Sequence, residues 1–453
     1  MGLASASSIL ADVESLYRQP NVQHLPADRL RHEAQAYGTR TAFGNTAFHS
    51  TVKNRSAGLT VLVGPPSAQP ALLTNPRAGE ILKKLPQTLE QVRRYLRRAP
   101  FVCLERQIGD NTHFGPLCRT FVSVARPEMV RLAYMWGCLL FHLHRPSPLL
   151  QHLVYIPEWQ EKDRQILVFP EENLTLVLGS DYLGESKKGH LRMAMWNAKK
   201  MGMLGVHAGA KLIRAREAKT GKLRQLSMLL FGLTATGKTT HACHDHGLNQ
   251  EGEGVSIVQD DVVFLRKDGS ALGSERGFYL KTEGLRPDTQ PLLYRVATQP
   301  DAVLENALVD YTGQVDFEDE TLTSNGRGVV QWRDFGPAKA PEPNLPPLSE
   351  VDGLIIAFIT RRNTVVPIAS RLSVEQAAAT FMLGESIESS GGDPKRVGES
   401  VRVVGTNPFI MGDEAEEGNR FLEFLDHYGQ KVSCYLLNTG GVGEIAERQA
   451  DGM

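Results

Sequence analysis

Residues 232–240 read Gly232-Leu-Thr-Ala-Thr-Gly-Lys-Thr-Thr240. The stretch fits Gly-x-x-x-x-Gly-Lys-[Ser/Thr], a loop whose backbone N–H groups wrap the phosphates of a nucleotide. Its flanks agree. Leu226-Ser-Met-Leu-Leu-Phe231 is an apolar run of strand length, and Thr239 to His246 can start a helix whose N-terminal dipole faces an anion. The expected nucleotide-binding residues are therefore Gly232, Leu233, Thr234, Ala235, Thr236, Gly237, Lys238, Thr239 and Thr240. Lys238 would reach the outer phosphates, and the Thr239 hydroxyl would sit on a divalent cation.

The rest of the chain bounds this reading. With 453 residues it exceeds one ordinary core, so two domains or one large α/β unit is expected. The formal net charge of −1 gives no general pull toward nucleic acid or an anionic membrane, and neither is expected as a partner. Five scattered cysteines without a Cys-x-x-Cys pair suit a reducing compartment. The N-terminus lacks the basic and apolar regions of a secretory signal, and the longest apolar run, Leu132 to Leu143, is too short for a bilayer. A cytoplasmic protein is expected.

Periodicity predicts helices over 9–37, 78–98, 127–144 and 186–203, with paired strands over 41–64 and strands at 166–169 and 174–178. From 226 onward short apolar strands alternate with Gly-rich turns, at 226–231, 255–258, 262–266, 277–281, 354–359 and 431–437. Helices are expected at 373–388 and 416–429. Lys211 to Arg224 reads as polar and turn-like, which sets a boundary: an N-terminal α/β domain over 1–210 and a C-terminal nucleotide-binding domain over 211–453. The tract His241-Ala-Cys-His-Asp-His246 resembles a metal-binding run but reads better as helix surface, because only residues three or four apart share a helix face.

A second nucleotide element belongs at the end of a strand near the phosphate loop, and Val255-Ser-Ile-Val-Gln-Asp-Asp261 supplies it. Paired carboxylates behind a buried strand repel each other and call for a cation, although Asp also favours plain turns. His207, in Met203-Leu-Gly-Val-His-Ala-Gly209, and Lys187 and Lys188, in Tyr182-Leu-Gly-Glu-Ser-Lys-Lys-Gly189, cannot be assigned from spacing alone.

These segments, taken in order, resemble the ATP-dependent phosphoenolpyruvate carboxykinase family. Tyr182–Gly189 resembles its Tyr-x-Gly-Glu-x-Lys-Lys segment, residues 231–240 its phosphate loop, and Asp260-Asp261 its Gly-Asp-Asp turn. Residues 275–281, Glu-Arg-Gly-Phe-Tyr-Leu-Lys, and 301–306, Asp-Ala-Val-Leu-Glu-Asn, match further elements, as do Asn325-Gly-Arg327, Ala369-Ser-Arg-Leu372 and Leu437-Asn-Thr-Gly440. The good match covers residues 180 to 440.

The resemblance implies an enzyme that decarboxylates oxaloacetate and passes the γ-phosphoryl of ATP to the enolate oxygen. It implies a two-domain carboxykinase-like α/β fold, with a phosphate loop in a C-terminal mixed-sheet domain and substrate in a cleft. It implies Mn²⁺ held by Lys188, His207 and Asp261, and a second ion, Mg²⁺, with the nucleotide on Thr239. Arg55, Lys188, Lys238, Asp260 and Arg327 would serve catalysis, with Arg327 also on the nucleotide, and Arg55, Tyr182 and Lys188 would hold substrate. A closing lid is implied, and 325–350 is the Gly/Pro-rich stretch for it.

Several positions depart from the family pattern. Ala235 replaces a loop glycine, Gln259 the Gly before the aspartates, and Arg276 the first Gly of Glu-Gly-Gly. Ala57, Gly58 and Leu59 follow Arg55-Ser56 where the family has Pro-Lys-Asp-Lys. Glu385-Ser-Ile-Glu-Ser-Ser-Gly-Gly392 and Glu444-Ile-Ala-Glu-Arg-Gln449 lack the expected elements, the second of which grips the nucleotide base. A phosphotransferase on the same fold with another acceptor, a small molecule or a protein, is the alternative. A non-catalytic nucleotide-binding scaffold ranks third, since the charged groups are present. Oligomeric state is not legible.

Overall fold

The computed structural model describes residues 2–69, 77–233, 236–361, 367–388, 396 and 398–440. The chain divides into two interleaved units. The first comprises Met1–Asn197, Glu275–Asp334 and Phe409–Asp413; the second comprises Ala198–Ser274, Phe335–Pro408 and Glu414–Met453. The division differs from a single cut at residue 210, because strands from 277–331 pair with strands from 39–48.

The first unit holds a seven-stranded mixed sheet. Its order is Val22–His24, Phe101–Gln107, Leu117–Ser123, Leu150–Ile156, Leu174–Leu178, Gln165–Phe169 and Thr60–Leu62. Helices Gly2–Leu16 and Ala78–Leu96 share its core: Ile9, Val13, Leu85, Leu89 and Val92 are buried with Phe101, Phe121, Val154 and Leu176. Each such side chain contributes about 1.5–3 kcal/mol relative to exposure. A five-stranded sheet follows the order Gly277–Lys281, Arg327–Gln331, Val303–Glu305, Thr46–Phe48 and Thr39–Arg40. The parallel pairing of Val303–Glu305 with Thr46–Phe48 joins its two parts.

The second unit is built on a six-stranded sheet. Its order is Gly254–Gln259, Ala208–Arg216, Leu223–Phe231, Gly353–Thr360, Val432–Asn438 and Ala369–Leu372. Phe231, Phe358, Phe381 and Phe421 pack together, the last two stacked at 4.5 Å between centroids. These rings fasten helices Val374–Leu383 and Glu414–Tyr428 to the sheet. Leu204–Val206, Val263–Leu265, Ala271–Gly273 and Asn344–Leu345 form a smaller sheet.

Four expectations need correction. The helix over 9–37 is two helices, Gly2–Leu16 and Ala27–Gln35, separated by the strand Val22–His24. Pro20 and Pro26 forbid a continuous ladder there, and Pro26 is the N-cap of the second helix. The turn-like stretch 211–224 is instead part of a long antiparallel hairpin, Ala208–Arg216 with Leu223–Phe231. Its outer end is solvated, so polar residues there carry no boundary information. Residues 327–331 of the expected lid are a fully buried strand. The expected helix 373–388 stops at Leu383, where Gly384 turns left-handed (φ 49°). Among the described residues no helix is long and apolar enough to cross a membrane.

Candidate active site

In the second unit the strand Leu223–Phe231 runs into the Gly-rich loop, and helix Lys238–Cys243 follows it. Strand, loop and helix thus succeed one another as the motif requires. Thr234 and Ala235 lie outside the described residues. Gly232 is needed for space: a Cβ would fall 2.5 Å from Thr236 Oγ1 and 3.4 Å from Ile359 Cβ. Gly237 is needed for conformation, with φ 98° at the helix N-cap. The loop is tied down by Thr236 Oγ1, which donates to Leu233 O at 2.8 Å, and by Thr439 Oγ1, which donates to Thr236 O at 2.8 Å. Thr239 and Thr240 occupy the first turn of the helix.

Lys238 is 7% exposed, and its ammonium lies 3.0 Å from Asp261 Oδ1. The same carboxylate oxygen lies 3.0 Å from His207 Nε2. His207 is itself oriented from behind, with Nδ1 2.8 Å from the carbonyl of Thr406. A carbonyl only accepts, so Nδ1 carries the proton and donates it. In the neutral ring Nε2 then presents its lone pair toward Asp261. Two electron-pair donors face each other at hydrogen-bonding distance, an arrangement stable only with a proton or a cation between them. The buried Asp260 precedes them at the end of strand Gly254–Gln259.

The first unit gathers the other half of the expected set. Helix Leu183–Lys200 starts beside Tyr182 and carries Glu185, Lys187, Lys188 and Arg192. Asn325 is its partner in organisation. The Asn325 amide nitrogen donates to Lys53 O (2.9 Å), Asn54 Oδ1 (2.8 Å) and Tyr182 Oη (3.2 Å), and its oxygen accepts from Arg327 Nη2 (2.7 Å). One side chain thereby links Tyr182, Arg327 and the loop that bears Arg55. The Arg327 guanidinium also lies over the Tyr279 ring at 5.3 Å. Lys187 does not join this group; its ammonium pairs with the buried Glu275 at 2.8 Å.

The loop 50–56 has no regular structure of its own and is held by buried side chains. Asp181 accepts from the N–H groups of Thr51 and Val52, each at 2.8 Å. Asn306 Oδ1 accepts from Ser50 N at 2.9 Å and Lys53 Nζ at 3.0 Å, and Glu185 accepts from Ser56 N. Arg131 fixes Asp181 in turn at 3.1 Å and reaches Glu305 at 3.4 Å; all three are at most 3% exposed. Burial raises the Glu305 carboxyl, against the pull of Arg131 and Tyr279. Arg55 leaves this loop to lie over the ring of Phe409 at 4.5 Å, with Lys188 on the same ring at 4.6 Å.

Each unit therefore assembles its own share of the expected residues: Arg55, Tyr182, Lys188 and Arg327 in the first, His207, Lys238, Thr239, Asp260 and Asp261 in the second. Sequence reading missed the anchors Asp181, Glu185 and Asn306, and gave Asn325 no role. Their hydrogen bonds to the Arg55 loop span 129 to 272 positions, which leaves no local signal. The histidine tract needs correction: helix Lys238–Cys243 ends at His244, so His244 and His246 are not on its surface. His246 Nε2 instead accepts from the buried Lys211 ammonium at 2.6 Å. Burial, with Lys211 next, lowers that imidazole to about 4, so it is neutral.

Comparison with known proteins bears on this arrangement. The family profile described as phosphoenolpyruvate carboxykinase matches residues 154–450. The chain is similar to phosphoenolpyruvate carboxykinase (ATP) of Aeropyrum pernix, 36% identical over 350 residues, which covers 76% of this chain and 67% of that protein. It is 29% identical over 293 residues to the glycosomal phosphoenolpyruvate carboxykinase (ATP) of Trypanosoma brucei brucei, covering 61% and 54%. With the enzyme of the same name from Rhizobium rhizogenes it shares 28% over 273 residues, covering 60% and 46%. The chain thus spans about two thirds of the first relative's length and about half of the others'.

Proposed function

The chain belongs to the ATP-dependent phosphoenolpyruvate carboxykinase family, and on that premise we propose that it converts oxaloacetate and ATP to phosphoenolpyruvate, CO₂ and ADP. The observation that carries the reading is the contact of Asp261 Oδ1 with both His207 Nε2 and Lys238 Nζ, the latter on the helix that follows the Gly-rich loop. Metal-binding and phosphate-binding groups meet on one carboxylate, as phosphoryl transfer requires.

The metal assignment is Lys188, His207 and Asp261 for Mn²⁺, with Thr239 for the Mg²⁺ that accompanies the nucleotide. Fit is supported by the fixed tautomer of His207, whose Nε2 lone pair is directed at a carboxylate. Among the described residues no group of three His, Cys, Asp or Glu side chains is arranged for a metal; in this reading the amine of Lys188 is the third donor of the Mn²⁺ set. A lysine ligates only as the neutral amine, which a neighbouring cation favours. A divalent ion bound there supplies charge for the oxygen that develops negative character as CO₂ leaves.

The protein's own groups do the rest. Arg55 and Tyr182 orient oxaloacetate, and the anchors Asp181, Glu185 and Asn325 keep the Arg55 loop in one conformation without reorganisation cost. Backbone N–H groups of 232–240 hold the polyphosphate. Lys238 and Arg327 spread the charge of the transferring phosphoryl group. The scattered free cysteines suit a cytoplasmic location.

One observation favours a second reading, a phosphotransferase with another acceptor: Ala57, Gly58 and Leu59 stand where the family has charged residues. Incubation of the purified chain with oxaloacetate, ATP and Mn²⁺ separates the two. Phosphoenolpyruvate and ADP in equal amounts support the carboxykinase reading. ATP consumption that ignores oxaloacetate and follows another acceptor overturns it.

A further inference from the structure

Arg192 is absent from every motif discussed so far. It lies four residues beyond Lys188 on helix Leu183–Lys200, hence on the same face. It is 5% exposed. Among the described residues its guanidinium has neither a hydrogen bond nor a carboxylate within ion-pair distance. Buried arginines are normally paired, because the group keeps its charge and its desolvation must be offset.

Its surroundings sharpen the anomaly. The guanidinium carbon lies 5.9 Å from the centroid of Phe409, the ring that Arg55 and Lys188 approach at 4.5 and 4.6 Å. Three cations therefore share one aromatic ring. Burial depresses Arg192 to about 10, and the nearby Arg55 adds to this while Glu185 opposes it. It stays charged at neutral pH. Glu185 already accepts the N–H of Ser56. Meanwhile Ala57, Gly58 and Leu59 leave the stretch after Arg55 without cations.

We propose that Arg192 is a substrate-contacting residue that, with Arg55, binds a carboxylate of a dicarboxylate substrate. The assignment rests on the carboxykinase reading for the identity of that dicarboxylate. It does not rest on it for the existence of an anion site. The planar guanidinium offers parallel N–H donors that match a carboxylate edge, and in a water-poor site such a charge-assisted pair is strong. A cation waiting for its anion also explains why the free protein tolerates like charges around Phe409: the cost is recovered when substrate binds.

The test uses the full chain with Arg192→Met and Arg192→Lys. Malonate, a dicarboxylate that does not enter the reaction, is titrated calorimetrically without metal, and KM for oxaloacetate and for ATP is measured with Mn²⁺. Arg192→Met is expected to weaken malonate about 10–100-fold and raise KM for oxaloacetate similarly, while KM for ATP is unchanged. Arg192→Lys restores part of both. The melting temperature of free Arg192→Met rises, since an uncompensated buried charge has been removed; a purely structural role would lower it. Wild-type malonate affinity and wild-type oxaloacetate KM in Arg192→Met overturn the inference, even if the chain is an active carboxykinase. So does a wild type that binds neither anion. Conversely, a wild type inactive on oxaloacetate whose malonate binding is lost in Arg192→Met overturns the carboxykinase reading and keeps the anion site.

Discussion

His207 Nε2 lies 3.0 Å from Asp261 Oδ1, and the other ring nitrogen of His207 is committed to the carbonyl of Thr406. The ring therefore cannot turn away from the carboxylate without losing a buried hydrogen bond. Replacing His207 by Asn, or Asp261 by Asn, is expected to lower kcat with Mn²⁺ by more than about 100-fold. Mn²⁺ should raise the melting temperature of the wild type, and each substitution should abolish that rise. Thermal unfolding across a Mn²⁺ series checks both; a full rise in Asp261→Asn would place the metal elsewhere.

Lys238 meets the same carboxylate from the helix that follows the Gly-rich loop. Lys238→Ala should cost about 10²–10³ in kcat, the scale for losing one donor at a developing charge. Folding should survive, because the buried ammonium contacts Asp261 rather than the aromatic core. Circular dichroism and steady-state rates decide the matter, and full activity in Lys238→Ala would remove Lys238 from the mechanism.

The Gly-rich loop after Phe231 permits a steric test. A Cβ at position 232 meets Thr236 Oγ1 at 2.5 Å, and that hydroxyl holds Leu233 O. Gly232→Ala is expected to raise KM for ATP about tenfold or more with little change in KM for oxaloacetate, since the loop must open to accept the methyl. Equal shifts in both would mean a global effect.

Much of this was legible in the sequence and some was not, for physical reasons. The strand ending at Phe231 and the helix starting at Lys238 announce themselves by an apolar run and a glycine-lysine turn. Gln165–Phe169 and Leu174–Leu178 were readable because apolar residues fill all but Gln165 and Thr175. Phe101–Gln107 and Leu117–Ser123 were not, since Glu105, Arg106 and Arg119 interrupt the pattern; Glu105 and Arg119 pair across the strands at 2.7 Å and hide their polarity. The anchors of the Arg55 loop are invisible for another reason. Asp181 and Asn325 act through contacts far apart in sequence, and only the folded chain shows what they hold. Arg192 reads in sequence as one more basic residue on a helix, and burial alone gives it meaning.

The buried triad behind that loop gives a stability prediction with a functional echo. Asp181→Ala leaves Arg131 with Glu305 as its one carboxylate among the described residues and frees the N–H groups of Thr51 and Val52. Removing one partner of a buried pair costs about 3–5 kcal/mol. Urea unfolding should show a loss of that size, and KM for oxaloacetate should rise in the same variant because Arg55 loses its support. A stability loss with unchanged KM would detach the triad from the site.

His152 provides a pH prediction. It is buried, and desolvation first, then Arg119, depress it to about 4 from an ordinary 6.5. Above pH 6.5 both folded and unfolded chains hold it neutral. As pH falls from 6.5 toward 4 the unfolded chain gains a proton that the folded one refuses, so stability is lost across that window at up to about 1.4 kcal/mol per pH unit. His152→Gln should flatten the urea-midpoint profile between pH 6.5 and 4.5 relative to wild type. An unchanged slope would mean that other groups govern the acid limb.

The most direct test of the central claim is product analysis of the wild-type chain with oxaloacetate, ATP and Mn²⁺, followed by phosphorus NMR. The account predicts phosphoenolpyruvate and ADP appearing together in equal amounts, dependent on Mn²⁺ and absent in Asp261→Asn. ADP without phosphoenolpyruvate, or no turnover of oxaloacetate by the folded, Mn²⁺-loaded protein, would contradict it.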